Sequence, residues 1–109
     1  MEWPGKPTDL TDESIDRFTK DHHVAVIDFW GPSCAPCKMM APIIDQLAEE
    51  MKGQVAFGKM DVTKNLRTTM SMGIRSIPTT AFYKDGALIK TKMGFLNKPK
   101  LVTEIREIL

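Results

Sequence analysis

The two cysteines of this sequence are the residues whose type and spacing point most directly to chemistry. Cys34 and Cys37 enclose Ala35 and Pro36 in a Cys-x-x-Cys arrangement. Two thiols at this spacing lie about one helical turn apart and can form a reversible disulfide. With only two cysteines in 109 residues, the chain lacks the multi-bridge framework of a small secreted scaffold. The pair therefore indicates redox work or metal binding, and we predict a redox-active Cys34–Cys37 disulfide.

The position of the pair predicts unequal roles for the two thiols. A buried strand is expected to end just before it and a helix to begin at about Ala35, which places Cys34 at the helix N-terminus. Unpaired backbone N–H groups and the helix dipole stabilise a thiolate at that position. Thiolate is the attacking species in disulfide exchange. We therefore predict that Cys34 is the nucleophile and that Cys37, one turn further on and more buried, is the resolving thiol.

Two other interpretations of the pair stay open. One is a disulfide that only stabilises the fold, although so short a loop constrains the unfolded chain little. The other is half of a zinc site, which usually needs four ligands. His22 and His23 are the only further soft ligands, and adjacent side chains at a strand entrance tend to point in opposite directions. We expect neither a metal nor another cofactor.

Asp28 is the second residue of chemical interest, because it interrupts the apolar run Val24–Trp30. A run of this kind is typical of a central parallel strand buried on both faces. Burial of an unpaired carboxylate is costly and raises its pKa. Asp28 is therefore either a proton acceptor for the resolving thiol, or a carboxylate satisfied by local hydrogen bonds or exposed on one strand face.

The remaining chain supplies the elements that position these residues, in the order βαβ, helix, β-hairpin, helix. The first half calls for parallel strands with a right-handed crossover, and the Asp-Gly turn adds an antiparallel edge. A chain of 109 residues suits one domain over 1–109. The predicted elements are an irregular lead-in over 1–7, an extended piece near Thr8–Leu10, a helix over Asp12–Lys20 with Thr11 as N-cap, a strand over Val24–Trp30, a helix over 35–51, a strand over 55–62, a helix over 64–72, strands over 77–83 and 88–93, and a helix over 97–109.

Composition and charge exclude several classes of function. Lys and Arg total 15 against 14 for Asp and Glu, for a net charge of +1, which argues against broad capture of nucleic acid or an anionic membrane. No apolar run approaches the length of a membrane span, and the first residues lack the apolar core of a signal peptide. We expect a cytoplasmic protein.

With these features in place, the sequence resembles the thioredoxin family. The similarity runs in the right order and spacing from about Leu10 to Leu109. It implies a thioredoxin fold, in which helices flank both faces of a central mixed β-sheet, and a protein disulfide oxidoreductase that carries electrons. It rests on the motifs Asp28-Phe29-Trp30, Cys34-Ala35-Pro36-Cys37-Lys38, Pro42, Ile77-Pro78-Thr79 and Gly94.

The resemblance also implies roles for individual residues near the pair. It makes Asp28 the buried carboxylate beneath the disulfide and Lys59 the lysine that tunes it. By spacing alone, Lys59 could equally be a solvated strand residue.

Four further residues match the family's substrate-binding positions. Pro78 matches the cis-proline whose loop, with Ile77, docks the substrate backbone. Gly94 would leave room for close backbone approach, and Trp30 would cover the site. The alternatives are a trans-proline that starts a strand, a simple loop glycine and a tryptophan that packs as core.

Two positions depart from the family pattern. Ser33 stands where a tryptophan usually precedes the first cysteine, and Ala35 stands where glycine is usual.

The resemblance implies a monomer that is re-reduced by a thioredoxin reductase-type protein and acts on disulfide-containing target proteins. The chain has no G-x-G-x-x-G nucleotide motif of its own. The departures at Ser33 and Ala35 bear on which target proteins and which reductase the protein selects.

Three rival functions remain beside this one. The same chemistry could serve a glutaredoxin-like, glutathione-dependent enzyme, or a dithiol oxidant or isomerase. The fold could instead belong to a binding subunit with idle cysteines, for which the stretch Met70-Ser71-Met72 would offer a surface. The zinc module is the third.

Overall fold

The computed structural model describes residues 5–109. Residues 5–7 are irregular, and the rest of the predicted lead-in over 1–7 lies outside the described residues. None of the helices in the described range is long and apolar enough to cross a membrane. The elements are β1 (Thr8–Asp9), α1 (Ile15–Asp21), β2 (Val24–Trp30), α2 (Ala35–Glu50), β3 (Ala56–Asp61), α3 (Leu66–Ser71), β4 (Thr79–Lys84), β5 (Ala87–Met93) and α4 (Lys98–Arg106).

The strands form one mixed sheet in the order β1-β3-β2-β4-β5. β1, β3 and β2 run parallel, whereas β4 is antiparallel to β2 and β5 to β4. The predicted α/β class, with a mixed sheet and an antiparallel edge, is confirmed. β2 lies at the centre because its apolar run can be buried on both faces.

Side chains of β2 alternate between two apolar cores, one on each face of the sheet. Val24 and Val26 face α2 and α4, whereas Ala25, Ile27 and Phe29 face the side of α1. The α2 stripe supplies Met40, Ile44 and Leu47 to the first core, as its helical spacing indicates. The same alternation places Asp28 on the face of the sheet that is covered by α2, the helix that carries Cys37.

The first helix shows the largest difference between a predicted start and the observed one; the helix expected from 64 and the strand expected from 77 begin two residues later than predicted, at Leu66 and Thr79. The expected helix over Asp12–Lys20 begins at Ile15, and Ser14 is its N-cap residue. Thr11 instead begins a turn over residues 11–14, directly before the helix. Its Oγ1 accepts a hydrogen bond from the Ser14 N–H at 3.2 Å, and Ser14 Oγ accepts one from the Thr11 N–H at 2.9 Å. The reciprocal pair satisfies the donors that a helical turn there would leave free, so Thr11 acts as a cap one turn early.

The hairpin between β4 and β5 forms as its Asp-Gly signal predicts. Asp85 and Gly86 adopt φ angles of 52° and 82°, the left-handed values that a two-residue hairpin turn requires. This hairpin extends the sheet beyond β2 and brings β4, with the residues that precede it, beside the cysteine pair.

Candidate active site

The cysteine pair lies between the end of the central strand and the start of α2. Cys34 is the N-cap residue of α2, and the two cysteines are joined by a disulfide. The Cys37 backbone N–H donates to Cys34 Sγ at 3.2 Å. Cys34 is half-buried and Cys37 is 4% exposed. The sulfur at the helix terminus is therefore the accessible one, and it accepts a hydrogen bond from a backbone N–H group in the first turn of the helix.

Asp28 lies in the sheet below the disulfide and is 1% exposed. Its Oδ1 is buried and has no hydrogen-bond partner among residues 5–109. Burial raises the pKa of Asp28 to about 6, and the charge of Lys59 partly opposes this rise. Neither local hydrogen bonds nor an exposed strand face accounts for this carboxylate, so its proton is free to exchange near neutral pH.

Lys59 and Trp30 complete the surroundings of the carboxylate. Lys59 is the direct partner of Asp28 across the parallel pair β2 and β3, so both side chains lie on the same face. Its Nζ is 5.1 Å from the centroid of the Trp30 ring, a cation–π distance. The indole Nε1 of Trp30 is buried without a hydrogen-bond partner in the described chain. The lysine charge is thereby held near the carboxylate without a hydrogen bond that would fix its protonation.

A pocket of about 120 Å³ joins these groups to the resolving cysteine. This volume exceeds what a single water needs, and the polar atoms on the wall offer it partners. The pocket therefore gives Cys37 and Asp28 a shared space through which a proton can pass. Its lining residues are Asp28, Trp30, Gly31, Pro32, Cys37, Lys38, Ala41 and Lys59.

A second, more open groove lies on the outer side of Cys34. The groove has a volume of about 420 Å³, and Ile77 and Thr63 line it together with Cys34. The Ile77–Pro78 peptide bond is cis. The Gly94 N–H donates to the Pro78 carbonyl at 2.8 Å, which ties the start of β4 to the end of β5. The tertiary structure thus places Ile77 in the groove with the accessible sulfur, and Pro78, the next residue, is hydrogen-bonded to Gly94.

Gly94 has a φ of +92°, a backbone conformation that favours glycine. A Cβ at this position would meet no atom within 4 Å, so the space above it is open. Both facts fit a surface over which another polypeptide can lie closely.

Two residues of the site were missed in the sequence. A Cβ on Gly31 would lie 2.8 Å from Ile77 Cδ1, so this glycine permits the close approach of the cis-proline loop. The Gly-Pro pair that ends β2 is the signal that could have indicated it. Thr80 is fully buried opposite Asp28, and threonine in a β-strand gives no signal because strands favour it anyway.

The histidines of the zinc interpretation lie far from the cysteines. His22 and His23 precede β2, whereas Cys34 follows it, and seven strand residues span roughly 20 Å. His23 Nδ1 lies 2.6 Å from Asp85 Oδ1 at the hairpin turn. Within residues 5–109 there is no group of three or more His, Cys, Asp or Glu that could hold a metal ion.

Comparison with known proteins identifies the family. A family model described as thioredoxin matches residues 6–107. This chain belongs to the thioredoxin family. It is 44% identical over 82 residues to a thioredoxin of Haemophilus influenzae, covering 75% of this chain and 77% of the relative. It is 42% identical over 90 residues to a thioredoxin of Bacillus subtilis, covering 83% and 84%.

The solved structure of a mutant thioredoxin from Halobacterium salinarum shares the fold. It superposes with a TM-score of 0.92 at 28% identity, covering 99% of this chain and 95% of that one. The expected thioredoxin fold is confirmed. Family membership, together with the disulfide-bonded Cys34–Cys37 pair, shows that the protein is a thiol–disulfide oxidoreductase.

Proposed function

We propose that this thioredoxin-family protein is a protein disulfide reductase in which Cys34 attacks, Cys37 resolves and Asp28 accepts the proton of Cys37. The observation that carries the proposal is the division of the site into two sides. Cys34 lines the open groove beside Ile77, whereas Cys37 and Asp28 line the pocket beneath it.

The first step takes place in the open groove. The Cys34 thiolate attacks one sulfur of a target disulfide, a mixed disulfide forms, and the second target sulfur leaves as a thiolate. The Cys37 N–H, 3.2 Å from Cys34 Sγ, stabilises the thiolate before attack. Ile77, which lines this groove, and the adjoining Pro78 and Gly94 bind the target backbone, whereas Trp30 lines the buried pocket beneath.

The second step draws on the buried pocket. Cys37 transfers its proton to the Asp28 carboxylate and attacks Cys34 Sγ, which breaks the mixed disulfide and releases the target sulfur that Cys34 had attacked as a thiolate. Two electrons pass to the target, whose disulfide becomes a dithiol, and the Cys34–Cys37 disulfide is formed. A pKa of about 6 leaves Asp28 mostly ionised at pH 7, so it is ready to accept, and burial favours the neutral acid that results. Lys59 keeps the carboxylate ionised before the transfer.

The partners follow from this cycle. The oxidised protein is re-reduced by a thioredoxin reductase-type protein, because the sequence has no dinucleotide-binding motif. We place the cycle in the cytoplasm, where dithiols are kept reduced, with one domain acting as a monomer. Ser33 lines the groove where the family usually has tryptophan, so we propose that the choice of target and reductase differs most at this wall.

The mixed disulfide provides the direct test. Cys37→Ser removes the resolving thiol but leaves Cys34 able to attack, so this variant should accumulate a covalent complex with a target that dithiothreitol releases. Cys34→Ser is the matched control and should trap nothing. The native protein should catalyse the reduction of insulin disulfides. No trapped target together with no insulin reduction would overturn the proposal. If the double variant Cys34→Ser/Cys37→Ser kept full biological activity, the protein would instead act as a binding subunit that does not need its cysteines.

A further inference from the structure

Thr80 lies directly opposite Asp28 in the antiparallel pair of β4 and β2. Both side chains are on the face covered by α2, and Thr80 is 0% exposed. The hydroxyl Oγ1 of Thr80 and the carboxylate Oδ1 of Asp28 are both buried, and neither has a hydrogen-bond partner among residues 5–109. The site therefore contains an unpaired donor facing an unpaired acceptor.

The geometry of the ladder permits these two groups to meet. Directly opposed residues in an antiparallel pair have Cβ atoms about 4.5–5.5 Å apart. The Thr hydroxyl can occupy different staggered positions about χ1, and rotation between them moves Oγ1 by more than an ångström. Because a buried polar group without a partner is costly for both residues, the rotamer that joins them is favoured whenever Asp28 carries its charge.

We propose that Thr80 is a positioning residue for Asp28, whose hydroxyl donates a hydrogen bond to the ionised carboxylate and thereby sets the pH at which Asp28 exchanges its proton with Cys37. This inference rests on the proposed function, in which Asp28 is the proton acceptor. A hydrogen bond to a charged acceptor is stronger than one to a neutral carboxylic acid. Thr80 therefore favours the ionised form and offsets part of the cost of burying it.

Other groups face Asp28 from the elements around it, and the test must separate them from Thr80. Lys59 faces it from β3, and Cys37 and Lys38 of α2 line the same pocket. Lys92 of β5 is the ladder partner of Thr80, with its Nζ 3.7 Å from Glu104 Oε1 of α4. Oxidised protein removes one variable, because the disulfide-bonded cysteines do not titrate.

The experiment compares Thr80→Val with Thr80→Ser in the full-length oxidised protein. The Asp28 carboxyl is followed by carbon-13 NMR across pH 3–9. Valine keeps the shape of threonine but has no donor, so the Asp28 midpoint should rise by about one pH unit, a tenfold change in its acid dissociation constant. Serine keeps the hydroxyl and should leave the midpoint at its native value. The pH profile of insulin reduction should shift in the same direction as the midpoint.

The control is Thr91→Val, the same change on β5. Thr91 is exposed and is paired with Ala81, so it lies on the opposite face of the sheet and should not move the midpoint. Thr80→Ala provides a second variant without the hydroxyl, should valine prevent folding. An unchanged or lowered midpoint in the variants without a hydroxyl would overturn the proposal, as would a serine variant that behaves like valine. Unchanged turnover of Asp28→Asn would overturn the proposed proton acceptor but not a shifted midpoint, so the two failures are distinguishable.

Discussion

Glu104 and Asp28 are buried carboxylates on the same side of the sheet, and their surroundings shift their pKa values in opposite directions. Glu104 of α4 is bound by Lys90 of β5 at 2.7 Å, and the same Nζ lies 2.8 Å from Glu107 Oε1. The hydrogen bond from Lys90 holds the pKa of Glu104 below its usual value. Burial alone would lower the pKa of Lys90, but its hydrogen bonds to the two glutamates raise it.

Asp28 has a lysine nearby as well, yet Lys59 acts on it only through its charge. Its Oδ1 accepts no hydrogen bond in the described chain, and burial raises the pKa of Asp28 to about 6. The Glu104 cluster is therefore fixed as charged pairs that join α4 to β5. Asp28 is left able to change its protonation state near neutral pH. A direct hydrogen bond from a charged lysine, more than burial or a lysine charge at a distance, therefore separates a structural carboxylate from one that can act in chemistry.

The largest expected effect is on the pH dependence of stability. In the unfolded chain Asp28 has a pKa near 3.8, whereas in the folded protein it is about 6. The folded state binds the proton more tightly, so the contribution of Asp28 to stability is greatest at low pH and falls as pH rises through this window. The total fall is about 3 kcal/mol. Denaturant unfolding from pH 4 to 7.5 should show most of this loss in the native protein relative to Asp28→Asn, which does not titrate.

Glu104→Gln is the matched control for this measurement, and its sign is opposite. The folded pKa of Glu104 is lowered from 4.5, so its stabilisation is present above that pH and is lost as the pH falls. The difference in stability between native protein and this variant should therefore shrink on acidification. If both variants showed the same pH trend, the contrast between the two carboxylates would be wrong.

The second effect is on turnover. Asp28→Asn cannot accept the proton of Cys37, so single-turnover reduction of insulin at pH 7 should slow about tenfold. This is below the usual contribution of a general base, because water can also accept a thiol proton. Glu104→Gln should reduce insulin at the native rate. Equal rates for Asp28→Asn and native protein would exclude Asp28 as the acceptor.

The third effect concerns the lysine of the structural cluster. Lys90→Met leaves Glu104 and Glu107 without their cation and should lower the free energy of unfolding at pH 7 by about 1 kcal/mol, between the values of exposed and buried pairs. Denaturant titration measures this change, and insulin reduction should be unaffected. A stability equal to that of the native protein would show that the cluster contributes nothing net.

The smallest effect concerns the lysine of the active site. Lys59→Met removes the charge that opposes the burial of Asp28, so the pKa of Asp28 should rise further. Carboxyl NMR of the oxidised protein measures the change, with Lys90→Met as the control that leaves the midpoint in place. A midpoint that falls or stays unchanged would mean that Lys59 is screened from Asp28.

Most of the fold was predictable because its signals are local. Local residue patterns predict the strand β2 from its apolar run and the helix α2 from its apolar stripe. The Asp-Gly pair predicts the hairpin turn from the backbone angles that it allows. The start of α1 was not predictable, because Thr11 and Ser14 are both good caps and only the exchanged hydrogen bonds decide between them. At the site, Cys34 and Asp28 were evident from residue type, whereas Gly31 and Thr80 were not.

The chemistry that the chain can perform and the order of its elements were predictable from the residues alone, because thiol spacing, a helix start and strand periodicity each depend on neighbouring residues. The protonation state of Asp28, by contrast, depends on contacts made in the tertiary structure. Lys59 and Thr80 flank it from strands that lie 31 and 52 residues further along the chain. Their register is set by strand pairing and core packing, and a slip of one residue would turn each side chain to the other face. Whether a buried carboxylate is paired or left free therefore depends on contacts that no local pattern contains.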